Sequence, residues 1–109
     1  MSGEFAGLLR ERVAVERLAS TPGDDGNATL AWTADGEAWA ALAPAGLPDP
    51  IAGEGQVSRP RYRLTLRPRP GLGLASRFRW LGRVLTVLRI EPDPRRTDRI
   101  TLLVEERAP

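Results

Sequence analysis

Apolar residues recur at every second position along much of the chain, which is the periodicity of a β-strand with one buried face. Val13 and Val15 alternate with charged or small residues and predict a short first strand. The strictest alternation lies at residues 61–67, where Leu64 and Leu66 fall on one face and three arginines fall on the other. This segment is the clearest strand in the sequence.

A second strand is indicated by residues 30–43, with an interruption or bulge at residues 34–36. Its alanine content leaves a helix possible. Before it, residues 21–27 have the composition of a polar hairpin loop. After it, residues 44–58 contain three prolines and three glycines, which exclude a helix or a central strand and predict a long loop. Residues 1–11 are interpreted as an N-terminal arm.

The last third of the chain predicts a hairpin and a closing strand. Residues 77–80 alternate and lead through a tight turn at 81–83 into an apolar strand at 84–90. Within that strand, residues 84–88 are apolar on both faces, as expected of a strand that is covered on both sides. Residues 100–105 predict the last strand, which pairs back.

Five to six short strands at this spacing predict an all-β fold, because short antiparallel strands protect their edges by closing on themselves. We expect a small antiparallel β-barrel in a single domain, residues 1–109, with the long loop between strands two and three. Trp32 and Trp80 are interpreted most simply as core residues. The core is predicted to contain Val13, Val15, Trp39, Leu64, Leu66, Val84, Leu88, Ile100 and Leu102.

Composition excludes much enzyme chemistry. The 109 residues include no Cys and no His, which removes disulfides, thiolate nucleophiles, imidazole bases and the usual zinc ligands. Asp24 and Asp25 fit a solvated turn better than a cation site, and the adjacent Glu105 and Glu106 would face opposite ways on a strand. We therefore expect no enzymatic activity, no cofactor and no metal. The absence of a long apolar segment predicts no membrane contact and assembly in the cytoplasm.

Charge is segregated along the chain. Residues 1–57 hold three arginines against nine acids, whereas residues 58–90 hold nine arginines and no acid. Such a basic segment would repel itself unless an anionic partner offset it, either a phosphate backbone or an acidic protein surface. The acidic first half suggests that neighbouring copies could meet basic face to acidic face.

Two groups of candidate site residues follow. Arginines on the predicted third and fourth strands are candidates for DNA or subunit contacts: Arg59, Arg61, Arg63, Arg67, Arg69, Arg77 and Arg79. The long loop after the second strand, of a length that is often functional, holds the second group: Leu47, Pro48, Asp49, Pro50, Ile51, Gly53 and Glu54.

Segments over most of the chain resemble, in the same order, those of the head-closure (stopper) or head–tail joining adaptor proteins of tailed bacteriophages and phage-derived gene transfer agents. They are residues 10–18 (RERVAVERL), 22–32 (PGDDGNATLAW), 37–46 (EAWAALAPAG), 62–72 (YRLTLRPRPGL), 77–90 (RFRWLGRVLTVLRI) and 93–106. Two positions depart from the family pattern: Pro68 replaces a common aromatic residue, and residues 85–87 lack the usual Tyr or Phe. These departures concern packing.

The resemblance implies a β-barrel that assembles as a homo-oligomeric ring at the head–tail interface of a virion or phage-like particle. The ring would lie between a portal-side adaptor ring and a tail-side terminator ring, retain or conduct DNA and dock the tail. In that family the loop between strands two and three can project toward the channel, and residues 44–58 occupy its place. The resemblance therefore makes the loop residues named above candidate channel residues. The alternative from the residues alone is a monomeric small-barrel nucleic-acid-binding protein.

Overall fold

A computed structural model describes residues 9–46 and 59–107. These residues form the strands β1 Glu11–Pro22, β2 Ala28–Pro44, β3 Arg61–Leu66, β4 Ser76–Trp80, β5 Arg83–Glu91 and β6 Ile100–Arg107. No helix within these ranges is long and apolar enough to cross a membrane.

The strands close into one antiparallel barrel in the order β1-β2-β3-β6-β5-β4. Closure occurs because β1 pairs with β2 on one side and with β4 on the other. The all-β antiparallel barrel is therefore confirmed, with the connection from residue 45 to residue 60 lying between β2 and β3. The helix left possible at residues 30–43 is replaced by strand β2.

The interior is filled by one inward-facing row from each strand. Val13, Val15, Leu64, Leu66 and Leu102 are buried as predicted, while Val84 and Ile100 are half-buried. The sequence prediction omitted further residues that are fully enclosed: Ala40, Phe78, Leu85 and Val104.

Trp39 does not lie in the core, contrary to prediction, because 52% of its surface is exposed. Residues directly opposite in an antiparallel pair share a face, and buried Val13 pairs with Ala38. Trp39 consequently points outward beside its own partner Arg12, whose guanidinium carbon lies 5.2 Å from the ring centroid. Small alanines take the inward positions on this part of β2.

Leu88 is a second correction, since it is 40% exposed. The register between β5 and β6 shifts between Val87 and Arg89, and Leu88 is the extra residue of this bulge. The interpretation of residues 84–88 as a strand covered on both sides is also wrong. The described strands form a single-layered barrel wall, so no second sheet among them covers the outer face of β5.

The irregularity predicted in the second strand is present. Ala14 pairs with Glu37, yet Glu16 pairs with Ala34, so β2 carries one extra residue at Asp35 and Gly36. Gly36 has a φ of +83°, which a residue without a Cβ adopts without strain. The tight turn after β4 is also confirmed at residues 81–82.

The β1–β2 ladder continues beyond the barrel wall. Pairing of β4 with β1 ends at Arg17, and pairing of β3 with β2 begins at Ala40. Residues 19–31 therefore form a two-stranded projection, here called the hairpin arm, whose outer edges have no neighbouring strand among the described residues. Leu30 on this arm is 64% exposed.

Candidate functional site

The predicted contact arginines lie mostly on the outer wall of the barrel, and several already have acidic partners. The Nε of Arg61 lies 3.0 Å from Oε2 of Glu105, and the Nε of Arg63 lies 2.8 Å from Oε1 of Glu91. Strand pairing explains the first contact, because Arg61 and Glu105 are directly opposite on β3 and β6. The self-repulsion expected of the basic segment is thus offset in part by acids of the same chain.

Glu16 on β1 neutralises two arginines of β4 at once. Its two carboxylate oxygens accept hydrogen bonds from Nε of Arg77 at 2.5 Å and from Nε of Arg79 at 3.1 Å. Burial raises the pKa of Glu16, but the hydrogen bonds and charges of the two arginines outweigh it and hold that pKa below the ordinary value of 4.5. Glu16 is consequently ionised at neutral pH.

Arg77 has a second contact that positions it. Its guanidinium carbon stacks 4.5 Å above the ring centroid of Trp32, a cation–π geometry. Trp32 does not lie in the core, contrary to prediction: it is half-buried at the root of the hairpin arm. One arginine therefore links the barrel wall, through Glu16, to the base of the arm.

Glu91, at the end of β5, also bonds two arginines. It accepts hydrogen bonds from Arg63 at 2.8 Å and from Arg89 at 3.0 Å. The hydrogen bond from Arg63 lowers the pKa of Glu91, and Arg89 adds a smaller lowering. Together these two effects outweigh the partial burial of Glu91, which raises its pKa. The two acids at positions 16 and 91 therefore each bridge two arginines.

The remaining predicted arginines lack acidic partners among the described residues. Arg69 instead donates to backbone oxygens at the β2 bulge, 2.5 Å from Asp35 and 3.3 Å from Glu37. Arg67 is exposed and lines a surface cleft of about 610 Å³ with Trp39 and Pro68. Arg59 is half-buried just before β3.

A second cleft, of about 580 Å³, lies between the root of the hairpin arm and the β4–β5 hairpin. Basic and apolar groups share its lining: Trp32, Arg77, Arg79, Gly82, Val84, Thr86 and Arg107. Arg107 ends β6, is exposed, and forms no ion pair within the described ranges. Among the described acids Glu16 is the one bonded to these arginines, so the lining carries more positive than negative charge.

The candidate channel residues cannot be placed on this surface. Leu47, Pro48, Asp49, Pro50, Ile51, Gly53 and Glu54 lie outside the described residues.

Sequence reasoning missed the acids that complete the outer wall. Glu16 follows buried Val15, so alternation was sufficient to predict that its side chain points outward. Alternation could not identify its partners, because the β1–β4 pairing joins residues about 60 positions apart. Arg107 was likewise passed over, since only the closed barrel brings the end of β6 beside β5.

Within the described ranges no group of three or more acidic side chains could hold a metal ion. The carboxyls with resolved shifts there have lowered pKa values and are therefore ionised at neutral pH. Paired arginines and exposed apolar side chains on one surface are suited to contacts with other macromolecules.

A family model described as phage head completion protein matches residues 6–107. The chain belongs to this family. The head completion match spans both the barrel and the hairpin arm, so it includes every outer-wall contact described above. No curated protein matches the sequence.

Solved structures show the same fold. A chain in the virion of a native gene transfer agent particle has a TM-score of 0.72 at 18% identity, covering 92% of this chain and 96% of that one. A Shigella flexneri 2a protein solved in solution has a TM-score of 0.69 at 23% identity, covering 94% and 96%. The head completion barrel is thus shared by proteins of low sequence similarity.

Proposed function

We propose that this protein is a structural component of the head–tail connector of a phage or gene transfer agent particle. Copies form a homo-oligomeric ring that follows a portal-side adaptor ring, closes the filled head and docks a tail-side terminator ring. The observation that carries the proposal is the family match over residues 6–107. The likeness to a chain of a gene transfer agent virion agrees with it.

The outer surface supports a role in assembly. Exposed apolar side chains occur at separate places around the wall, with Trp39 beside the first cleft, Leu81 on the β4–β5 turn and Leu30 on the hairpin arm. A subunit held between neighbours and between stacked rings needs several such contact points. The role proposed is structural and involves neither catalysis nor a cofactor.

For DNA we propose that residues 44–58 face the channel. This loop carries Asp49 and Glu54 and no arginine, so its charge would repel phosphate and suit a barrier or a lining along which DNA slides. Arg59, directly after it, and Arg67 form no ion pair with a described acid. They are the candidates for phosphate contact, whereas Arg61 and Arg63 are occupied by acids.

The monomeric nucleic-acid-binding barrel is less well supported. Base stacking requires exposed aromatic rings between the arginines, but Phe78 is buried, and Trp80 packs edge-on against Tyr62 at a centroid distance of 5.5 Å. One face of Trp32 is covered by Arg77, and Trp39, although 52% exposed, has the guanidinium carbon of Arg12 at 5.2 Å over its ring. The wall arginines are therefore better suited to protein contacts than to single-stranded nucleic acid.

The test is to produce particles without the gene for this chain, with the wild-type gene supplied as the matched control. We expect full-sized heads that carry no tails and lose their DNA, measured by electron microscopy and nuclease sensitivity. A variant lacking residues 47–56 should be incorporated into particles, because loop shortening costs little, and should leak DNA. Tailed particles that hold DNA without this protein would contradict the proposal.

A further inference from the structure

The tip of the hairpin arm is acidic, and its turn is held by local hydrogen bonds. Asp24 and Asp25 occupy the turn, which is closed by a backbone hydrogen bond of 2.6 Å from Gly23 to Asn27. The Asp25 carboxylate accepts from the backbone N–H of Asn27 at 3.1 Å and from its side-chain amide at 3.2 Å. Asp24 is exposed and has no such contact, so its charge is available to a partner.

The cleft at the root of the arm has the opposite charge. Arg77, Arg79 and Arg107 line it, and Glu16 is bonded to the first two. Arg107 is the cationic group whose charge is not offset by a described acid. The cleft also offers the apolar side chain of Val84, which is half-buried.

A chain cannot place its own tip in its own cleft. The ladder from Leu18–Trp32 to Pro22–Ala28 is continuous, and four residue pairs plus the turn carry the tip roughly 15–20 Å beyond the root at strand spacing. Trp32, at that root, lines the cleft. Folding the tip back would break the ladder, so the occupant must come from another molecule.

We propose that the acidic tip of the hairpin arm, residues 23–27, docks into the Arg77–Arg79–Arg107 cleft of a neighbouring copy of this chain. Asp24 pairs with Arg107 of that copy, and Leu30 lies against the apolar part of its cleft near Val84. The contact joins two different surfaces, so repetition around an axis closes a ring. This inference rests on the proposed ring and names the surfaces that form it.

Protein is favoured over DNA as the occupant. One face of Trp32 is occupied by the guanidinium of Arg77 and is closed to base stacking, and Glu16 would repel a continuous phosphate chain. The arm presents the carboxylates of Asp24 and Asp25 at its turn and the side chain of Leu30 on the ladder behind the turn. This combination matches a cleft lined by both basic and apolar groups.

The test reverses the two charges, separately and together, and measures the amount of this chain in purified particles. Asp24→Arg and Arg107→Glu should each reduce incorporation at least about tenfold, because a close charge pair at an interface becomes a repulsion. The double variant should restore it to near the wild-type level. Arg96→Glu, an equal charge change at another exposed position, should leave it unchanged.

Each outcome decides the matter. Normal incorporation of both single variants, or loss without rescue in the double variant, overturns the docking contact. Loss with Arg107→Glu alone indicates a different occupant of the cleft, DNA included, and also overturns it. Absence of the wild-type chain from particles instead contradicts the proposed function itself.

Cross-linking provides a measurement that does not depend on charge. The chain has no cysteine, so Asp24→Cys and Arg107→Cys introduce the sole thiol pair. Particles carrying the double cysteine variant should yield a ladder of covalent multimers under mild oxidation, whereas Asp24→Cys with Arg96→Cys should not. A chain that remains monomeric in oxidised particles overturns the contact.

Discussion

The barrel wall and the hairpin arm are built from the same strands, β1 and β2, yet their surroundings differ. In the wall, β1 has a partner strand on each side and its valines are enclosed. In the arm, residues 19–31 keep their mutual ladder but have no neighbouring strand in the described structure and no buried side chain. One region stabilises the fold, and the other extends from it with surface available for contacts.

Strands β1 and β2 are longer than the barrel wall requires. A barrel of this size needs only about six residues from each strand to cross its core, as β3 shows. The extra residues of β1 and β2 do not add to the core, and an exposed ribbon is an aggregation liability unless it is used or protected. The docking of the arm on a neighbour that we propose would cover this ribbon and would account for its length.

The largest predicted effect compares the same substitution in the two regions. Leu64→Ala in the wall removes a fully buried side chain and should lower the free energy of unfolding by about 2 to 5 kcal/mol. Leu30→Ala in the arm, where the side chain is 64% exposed, should change it by less than about 0.5 kcal/mol. Urea denaturation measures both. Similar losses would mean that the arm is packed as tightly as the wall.

The second prediction concerns the acid that joins the regions. Glu16→Gln removes the charge shared by Arg77 and Arg79, whose guanidinium groups then lack their anionic partner. Because Glu16 and Arg77 are largely shielded from water, we expect a loss of about 1 to 3 kcal/mol. Glu37→Gln breaks an ion pair with Arg12 in which both side chains are more than half exposed, and should cost less than about 1 kcal/mol.

Equal effects of these two substitutions in thermal or urea unfolding would contradict the distinction between a shielded and an exposed ion pair. Arg77→Gln can be measured in the wild-type protein and in Glu16→Gln. If Glu16 acts through Arg77, the loss of stability in the double variant should be smaller than the sum of the losses in the two single variants.

The third prediction follows from the lowered pKa values of Glu16 and Glu91. A carboxyl with a folded-state pKa below its unfolded value of 4.5 stabilises the fold above that value, and this contribution is lost as pH falls through the lower, folded-state pKa. Unfolding free energy should therefore be steady from neutral pH to near 5 and decline below it. The double variant Glu16→Gln, Glu91→Gln should show a shallower decline in acid; an unchanged slope would exclude these two groups as the source.

Local alternation was sufficient to predict the strands, the tight turn and most of the wall, because a strand with one buried face has an apolar residue at every second position. Trp39 and Leu88 were misplaced for a common reason. Their size favours burial, but the direction of a side chain depends on register and bulges, which are set by partner strands. Aromatic and leucine residues near a bulge therefore require the pairing before their face can be assigned.

The charged surface was less predictable than the core. Counting charges along the chain found the basic segment but suggested that it lacked counter-charges, whereas Glu16, Glu91 and Glu105 supply them from β1, β5 and β6. Each contact joins residues at least 28 positions apart. Linear charge segregation therefore says little about the electrostatics of a barrel whose wall interleaves distant segments.

The smallest predicted effect tests whether the arm unfolds together with the wall. Gly82, in the turn between β4 and β5, and Gly26, in the turn of the arm, have φ values of +78° and +85°, and neither has a heavy atom within 4 Å of an added Cβ. Alanine at either site therefore carries only the backbone cost of the left-handed conformation, about 1 to 2 kcal/mol. In Gly82→Ala that full cost should appear in the free energy of global unfolding, because opening the β4–β5 turn disrupts the wall.

In Gly26→Ala the loss cannot exceed the free energy of opening the arm alone, since the barrel can remain folded while the tip frays. We expect no more than about half the loss of Gly82→Ala, together with faster amide hydrogen exchange confined to the arm. Equal losses would show that the arm and the wall unfold as one unit. Amide hydrogen exchange of the same two variants in assembled particles would then distinguish two possibilities. Either the arm becomes ordered when it docks, or it is already ordered in the free subunit.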